Sequence, residues 1–143
     1  MTPAPPDADL ELVVSVVSEL GSARWAIETW AAGHGFANTA RKQVVAAANE
    51  VLTNGLQHGR PPVRLRCWHH GRTLVVHVED VGARPIPVDA GYRAPEHPSH
   101  GMGLWTARQF ADVLVSHTDA RRTAVRMYFP FVVTHRQMER RPV

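Results

Sequence analysis

The stretch 81–100 does most to constrain what this chain can fold into. It carries four prolines and two glycines among few apolar residues, so neither a core strand nor a helix can run through it. A loop of that length inside a compact domain is uncommon and usually serves as a lid or a binding loop. It divides the chain into two patterned parts. Before it, 10–17 is a β-branched run and reads as a strand. Residues 19–32 place Leu20, Ala23, Ile27, Trp30 and Ala31 at helical spacing, and Gly33, His34 and Gly35 close that helix. Asn38 is the expected N-cap of a second helix reaching about residue 57, with a stripe of Val44, Ala48, Val51, Leu52 and Gly55. After Pro61 and Pro62, the runs 63–68 and 73–79 form a hairpin around Gly71. Beyond the loop, 101–110 reads as a helix, and 113–117 and 123–131 as strands. This order predicts an α+β fold: a two-layer sandwich of a mixed, mostly antiparallel sheet with its helices on one face.

The 143 residues suit one domain with its own core, here 10–133, between a flexible proline-rich tail (1–9) and a basic tail (134–143). Net charge is +3, with a pI near 9.7. The arginines are scattered, and aromatic residues do not interleave with them as a stacking platform requires. Direct nucleic-acid contact is therefore not expected; the charge suits an acidic protein partner or a polyphosphate. No apolar run approaches the roughly 20 residues that span a bilayer, so no membrane association is expected. Residues 1–9 contain no apolar core of a secretory signal. The one cysteine, Cys67, allows no intrachain disulfide and reads as a small core hydrophobe, which fits a reducing cytoplasm. His69 and His70 beside it lack zinc-ligand spacing and read as hairpin residues. Trp25 and Trp30 are expected to pack a helix face, the alternative being that this first helix forms a partner surface.

Three short motifs carry chemistry. Glu50 and Asn54 lie four apart, one above the other on a helix face. A carboxylate and an amide oxygen so placed can address a hydrated magnesium ion, although such pairs are also common on solvated helix faces. Asp80, just past a strand end and followed by Val81 and Gly82, can accept a hydrogen bond from an exocyclic amine, with glycine allowing a flat ring to approach the backbone; Asp and Gly also form plain turns. Gly101-Met102-Gly103-Leu104 opens a helix, where free amides and the helix dipole favour an anion, or where glycine merely loosens the first turn.

Taken together and in this order, the motifs resemble the GHKL (Bergerat-fold) ATPase superfamily over roughly residues 10–131. Glu50-x-x-x-Asn54 looks like its N box, Asp80-x-Gly82 its G1 box and Gly101-x-Gly103-Leu104 its G2 box. Thr123 matches the threonine that accompanies the G1 aspartate. Within the superfamily, Ser99-His100-Gly101-Met102-Gly103-Leu104 and Phe110-Ala111-Asp112 are most similar to bacterial anti-sigma-factor serine kinases of the RsbW and SpoIIAB type; the segment 91–105 also looks like the ATPase end of RsbA-type regulators. Three positions depart from the pattern: Arg84 stands where a further glycine is frequent, Arg122 precedes Thr123 in place of glycine, and the loop offers Arg93, His97 and His100 but no lysine.

The resemblance implies ATP and Mg2+ as cofactors. Asn54 would ligate the metal, and Asp80, with Gly82 and Thr123, would hold adenine. His100, Gly101, Met102, Gly103 and Leu104 would border the phosphates, and Glu50 would act as general base toward a serine hydroxyl. It further implies a cytoplasmic regulator of transcription that binds a sigma factor and phosphorylates an anti-anti-sigma (STAS-type) protein as a serine/threonine kinase, and the family suggests a homodimer. The alternative is an ATP-gated protein-interaction module of the same fold without phosphoryl transfer. The catalytic half of a sensor histidine kinase is disfavoured, because so short a chain leaves no room for a dimerisation helix pair with a phosphoacceptor histidine.

Overall fold

The computed structural model describes residues 1–82 and 102–131, with only the backbone of Met102 and Gly103. Its elements are β1 (Leu10–Val14), α1 (Leu20–Gly33), α2 (Asn38–His58), β2 (Val63–His70), β3 (Thr73–Asp80), α3 (Met102–Phe110), β4 (Val113–Thr118) and β5 (Thr123–Pro130). The five strands form one sheet in the order β1-β2-β3-β5-β4. The hairpin turns at Gly71, whose φ of 60° lies in the left-handed region that glycine enters without a Cβ penalty.

Every neighbouring pair in the sheet is antiparallel. The parallel component allowed for in a mixed sheet is therefore absent among the described residues. β1 and β4 run in the same direction as β3, but β2 and β5 lie between them and it, antiparallel to their neighbours.

Alternation sorts the side chains. Val63, Leu65 and Cys67 of β2, Leu74, Val76 and Val78 of β3, and Val125, Met127 and Phe129 of β5 join Ile27, Ala31, Val44, Ala48, Leu52 and Ala107 of the helices in one core. Each fully buried aliphatic chain such as Ile27 or Leu52 contributes about 1.5–3 kcal/mol relative to exposure. The helices thus cover one face. The other carries Trp68, His77, Arg126 and Tyr128 at the intervening positions, and β3, flanked by strands on both sides, buries Val75 and His77 there as well.

Three local expectations change. β1 stops at Val14 rather than at residue 17, because the Glu19 carboxylate accepts hydrogen bonds from the Ser15 and Val16 amides (2.9 and 3.1 Å) and draws the chain into a 3-10 turn over Val17–Glu19. The cap position of α2 is Ala37, not Asn38; Asn38 is already helical and its side-chain oxygen accepts from Arg41 instead (3.2 Å). Trp25 does not pack: it is 71% exposed, whereas Trp30 lies against the core. The segment before β1 rests on the outer face of the sheet, where Arg126 donates to the Thr2 hydroxyl (3.1 Å) and carbonyl (2.7 Å). Residues 134–143 and the loop 83–100 lie outside the described residues. Among those described, no helix is long and apolar enough to cross a membrane.

Candidate functional site

Asp80 ends the central strand, and its side chain points to the helix side of the sheet, in line with Val78 and Val76. It is buried, at 5% exposure. Its Oδ1 accepts hydrogen bonds from the backbone amides of Gly82 (2.8 Å) and Arg60 (3.2 Å). Those amides supply what a buried carboxylate requires and lock its orientation. The chain beyond β3 is held in turn: the Val81 amide donates to the Arg60 carbonyl (3.1 Å). Thr123, the register partner of Asp80 on β5, donates its hydroxyl to the Gly82 carbonyl at 2.6 Å. Asp80, Gly82 and Thr123 therefore form one connected unit, with Thr123 acting on the Gly82 carbonyl.

Glycines wall this carboxylate. A Cβ added at Gly59 would lie 2.5 Å from the Asp80 carboxyl, and one at Gly82 would lie 2.9 Å from Oδ1 and 3.2 Å from the Arg60 nitrogen. A Cβ at Gly55 would press on Val63 at 3.1 Å and reach within 3.7 Å of Asp80 Oδ2. The last turn of α2 thus sits directly on Asp80. That turn follows Asn54, so Glu50 and Asn54 stand on the helix that borders Asp80. Both are half-buried, and neither is engaged in a side-chain hydrogen bond or ion pair among the described residues. The two oxygen-bearing side chains suit a hard cation that keeps part of its water shell. A buried, fixed acceptor between glycine backbones suits a flat heterocycle carrying an amine. The residues present therefore fit a magnesium nucleotide.

Helix α3 packs along α2; its Leu104 and Ala107 are both buried, and Ala107 joins the core. Met102 and Gly103 form its first turn, whose leading amides have no partner within the helix. His100 and Gly101 lie outside the described residues, as do Arg84, Arg93 and His97.

Several residues emerge only in three dimensions. Gly55, Gly59 and the Arg60 amide complete the Asp80 pocket; the signal that could have revealed them is the pair of glycines four apart directly after Asn54. Glu79, one residue before Asp80, points to the opposite face. It accepts from His77 Nε2 (2.6 Å) and from Arg122 (3.1 Å). Arg126 Nε donates to His77 Nδ1 (3.1 Å), which leaves the ring proton on Nε2, aimed at Glu79. The hydrogen bond from His77, opposed by partial burial and helped by the Arg122 charge, holds the Glu79 carboxyl down at about 2. This network fastens the outer face beneath the pocket. Cys67 is fully buried, and burial pushes its thiol well above the ordinary range, so it offers no nucleophile.

Residues 14–129 match the family model of the histidine kinase-like ATPase domain. Among solved structures, the fold is shared with the RsbU and RsbW domains of Rv1364c from Mycobacterium tuberculosis (TM-score 0.63, 15% identity), covering 90% of this chain and 32% of that one. The present chain thus spans about a third of that protein. A chain of the SiaB–SiaC complex from Pseudomonas aeruginosa matches with a TM-score of 0.65 at 12% identity, over 85% of this chain and 89% of that one. The blue-light activated histidine kinase EL346 of Erythrobacter litoralis matches at 0.51 and 26%, over 82% of this chain and 42% of that one. No curated protein matches the sequence.

Proposed function

The chain belongs to the histidine kinase-like ATPase domain family, and from that premise we propose that it is an ATP-binding anti-sigma factor that phosphorylates a serine or threonine of an anti-anti-sigma antagonist. The observation that carries the nucleotide half of this reading is the Asp80 pocket: a buried carboxylate oriented by the Gly82 and Arg60 amides and enclosed by Gly55, Gly59 and Gly82. The regulatory half is supported by the anti-sigma kinase motifs, by the fold shared with an RsbW domain, and by the likeness to a chain found in a protein–protein complex.

Each residue has a distinct task on this reading. Asp80 accepts a hydrogen bond from the adenine amine, and Thr123 steadies Gly82, whose backbone forms one wall of the ring site. Asn54 offers its side-chain oxygen to magnesium. The amides at the start of α3 face phosphate oxygens, where the helix dipole favours negative charge. Glu50 receives the proton of the acceptor hydroxyl. The magnesium nucleotide, when bound, supplies the phosphoryl group and the charge neutralisation; the chain's part is positioning, one proton transfer and exclusion of water.

The test is incubation of the full chain with γ-labelled ATP, magnesium and an antagonist of the anti-anti-sigma type. Label on a serine or threonine of the antagonist is expected. If no label is transferred while ATP still changes the affinity for the partner, the kinase assignment fails and a nucleotide-gated binding module takes its place.

A further inference from the structure

Three side chains far apart in sequence meet at the opposite end of the sheet from Asp80. Asp9 precedes β1, His34 caps the C-terminus of α1, and His69 lies near the end of β2, beside the turn at Gly71. Asp9 Oδ2 is 2.7 Å from His69 Nδ1 and 3.2 Å from His34 Nε2. All three ligand atoms lie within 4.8 Å of one another. The imidazole rings approach to 4.6 Å between centroids. The Trp30 indole donates to Asp9 Oδ2 at 3.0 Å and so fixes the carboxylate from outside the cluster.

We propose that Asp9, His34 and His69 bind a divalent transition-metal ion of the zinc class. Two imidazole nitrogens and one carboxylate oxygen are the borderline donors such ions take, and bonds of about 2.0–2.2 Å in a tetrahedron place ligand atoms roughly 3.4 Å apart. The two observed separations from Asp9 Oδ2, 2.7 and 3.2 Å, both fall short of that spacing, and the side chains are partly exposed, so small outward rotations complete it. Trp30 occupies the orienting role that ligand carboxylates require. Three protein ligands leave a fourth position to water or to a partner's side chain, and His34 also borders an open cleft of about 190 Å³ beside Phe36, Gly71 and Phe131. Bound metal ties the N-terminal segment to α1 and to the β2–β3 hairpin. The inference does not rest on the nucleotide reading, because none of these residues borders Asp80.

The experiment titrates the untagged full chain with zinc chloride by calorimetry and with cobalt(II) by visible absorption. One equivalent of zinc and a tetrahedral cobalt spectrum are expected. The double variant His34→Ala/His69→Ala should lose affinity by about 100-fold or more, and Asp9→Asn, which keeps the shape of the side chain, by about 10-fold or more. His70→Ala and His58→Ala should bind as wild type does. Zinc should raise the melting midpoint of wild type but not of the double variant, since only a native-state site stabilises. Unchanged affinity in the double variant, or no zinc uptake by wild type, overturns the proposal.

Discussion

Two aspartates stand at opposite ends of the sheet and are held by opposite means. Asp80 is buried, and its Oδ1 is fixed by backbone amides between glycines that leave no space for a methyl group. Asp9 is partly exposed, and its bonds come from the side chains of Trp30, His34 and His69. Main-chain donors cannot rotate away, so Asp80 presents one fixed geometry to a ligand. Side-chain donors can turn outward and exchange their protons for a metal. The contrast suits the two proposals: a carboxylate proposed to read a heterocycle sits at a strand end beside glycine, and one proposed to share an ion with histidines sits at the surface.

The largest expected effect tests whether the Asp80 end is catalytic as well as binding. Glu50→Gln should leave Mg-ATP affinity and partner binding nearly intact and lower the rate of phosphoryl transfer by about 10²–10⁴-fold. Single-turnover transfer to the antagonist measures it, and an unchanged rate removes Glu50 as the base. Asn54→Ala, by contrast, should weaken Mg-ATP binding itself.

Next in size is the loss of the fixed acceptor. Asp80→Asn turns part of the acceptor into a donor facing the adenine amine, at a cost of about 1–3 kcal/mol, which is roughly a 5- to 150-fold weaker affinity for Mg-ATP. Calorimetry on both proteins decides; equal affinities take Asp80 out of the site. Gly59→Ala should show a related loss, because its methyl group overlaps the Asp80 carboxyl.

A third measurement concerns the polar face behind the pocket. Glu79 titrates near 4.5 in the unfolded chain and is held at about 2 in the fold. A depressed carboxyl contributes fully above the unfolded value and is lost as pH falls through the folded one. Wild type should therefore lose stability from about pH 4.5 down to about pH 2. Glu79→Gln should flatten that limb and cost about 1–3 kcal/mol near neutrality, read from denaturant midpoints. An unchanged acid limb would assign it to other carboxylates.

The smallest effect should come from the exposed end. Without metal, Asp9→Asn should change stability by no more than about 1 kcal/mol, as for other exposed ion pairs. A much larger loss would mean that Asp9 anchors the N-terminal segment without help from an ion, and would narrow the contrast with Asp80.

Much of this was legible from the residues in order. The runs 63–68 and 73–79 on either side of Gly71 marked a hairpin, the spacing of Leu20, Ala23, Ile27 and Ala31 marked α1, and Glu50 with Asn54, and Asp80 with Gly82, stood out as short motifs. Such features are local: they depend on backbone period and on neighbours one to four residues away, which a linear string displays. The end of β1 was misplaced because β-branched Val16 and Val17 favour a strand, while the reach of Glu19 back to two amides favours a turn. The N-cap of α2 was misassigned because Asn38 found a partner in Arg41. Only the tertiary structure decided that the sheet is antiparallel throughout, that Gly59 and Arg60 close around Asp80, and that Asp9, His34 and His69 share one point in space. Those outcomes depend on contacts across twenty or more positions, and no local period records which distant residues the sheet order will bring together.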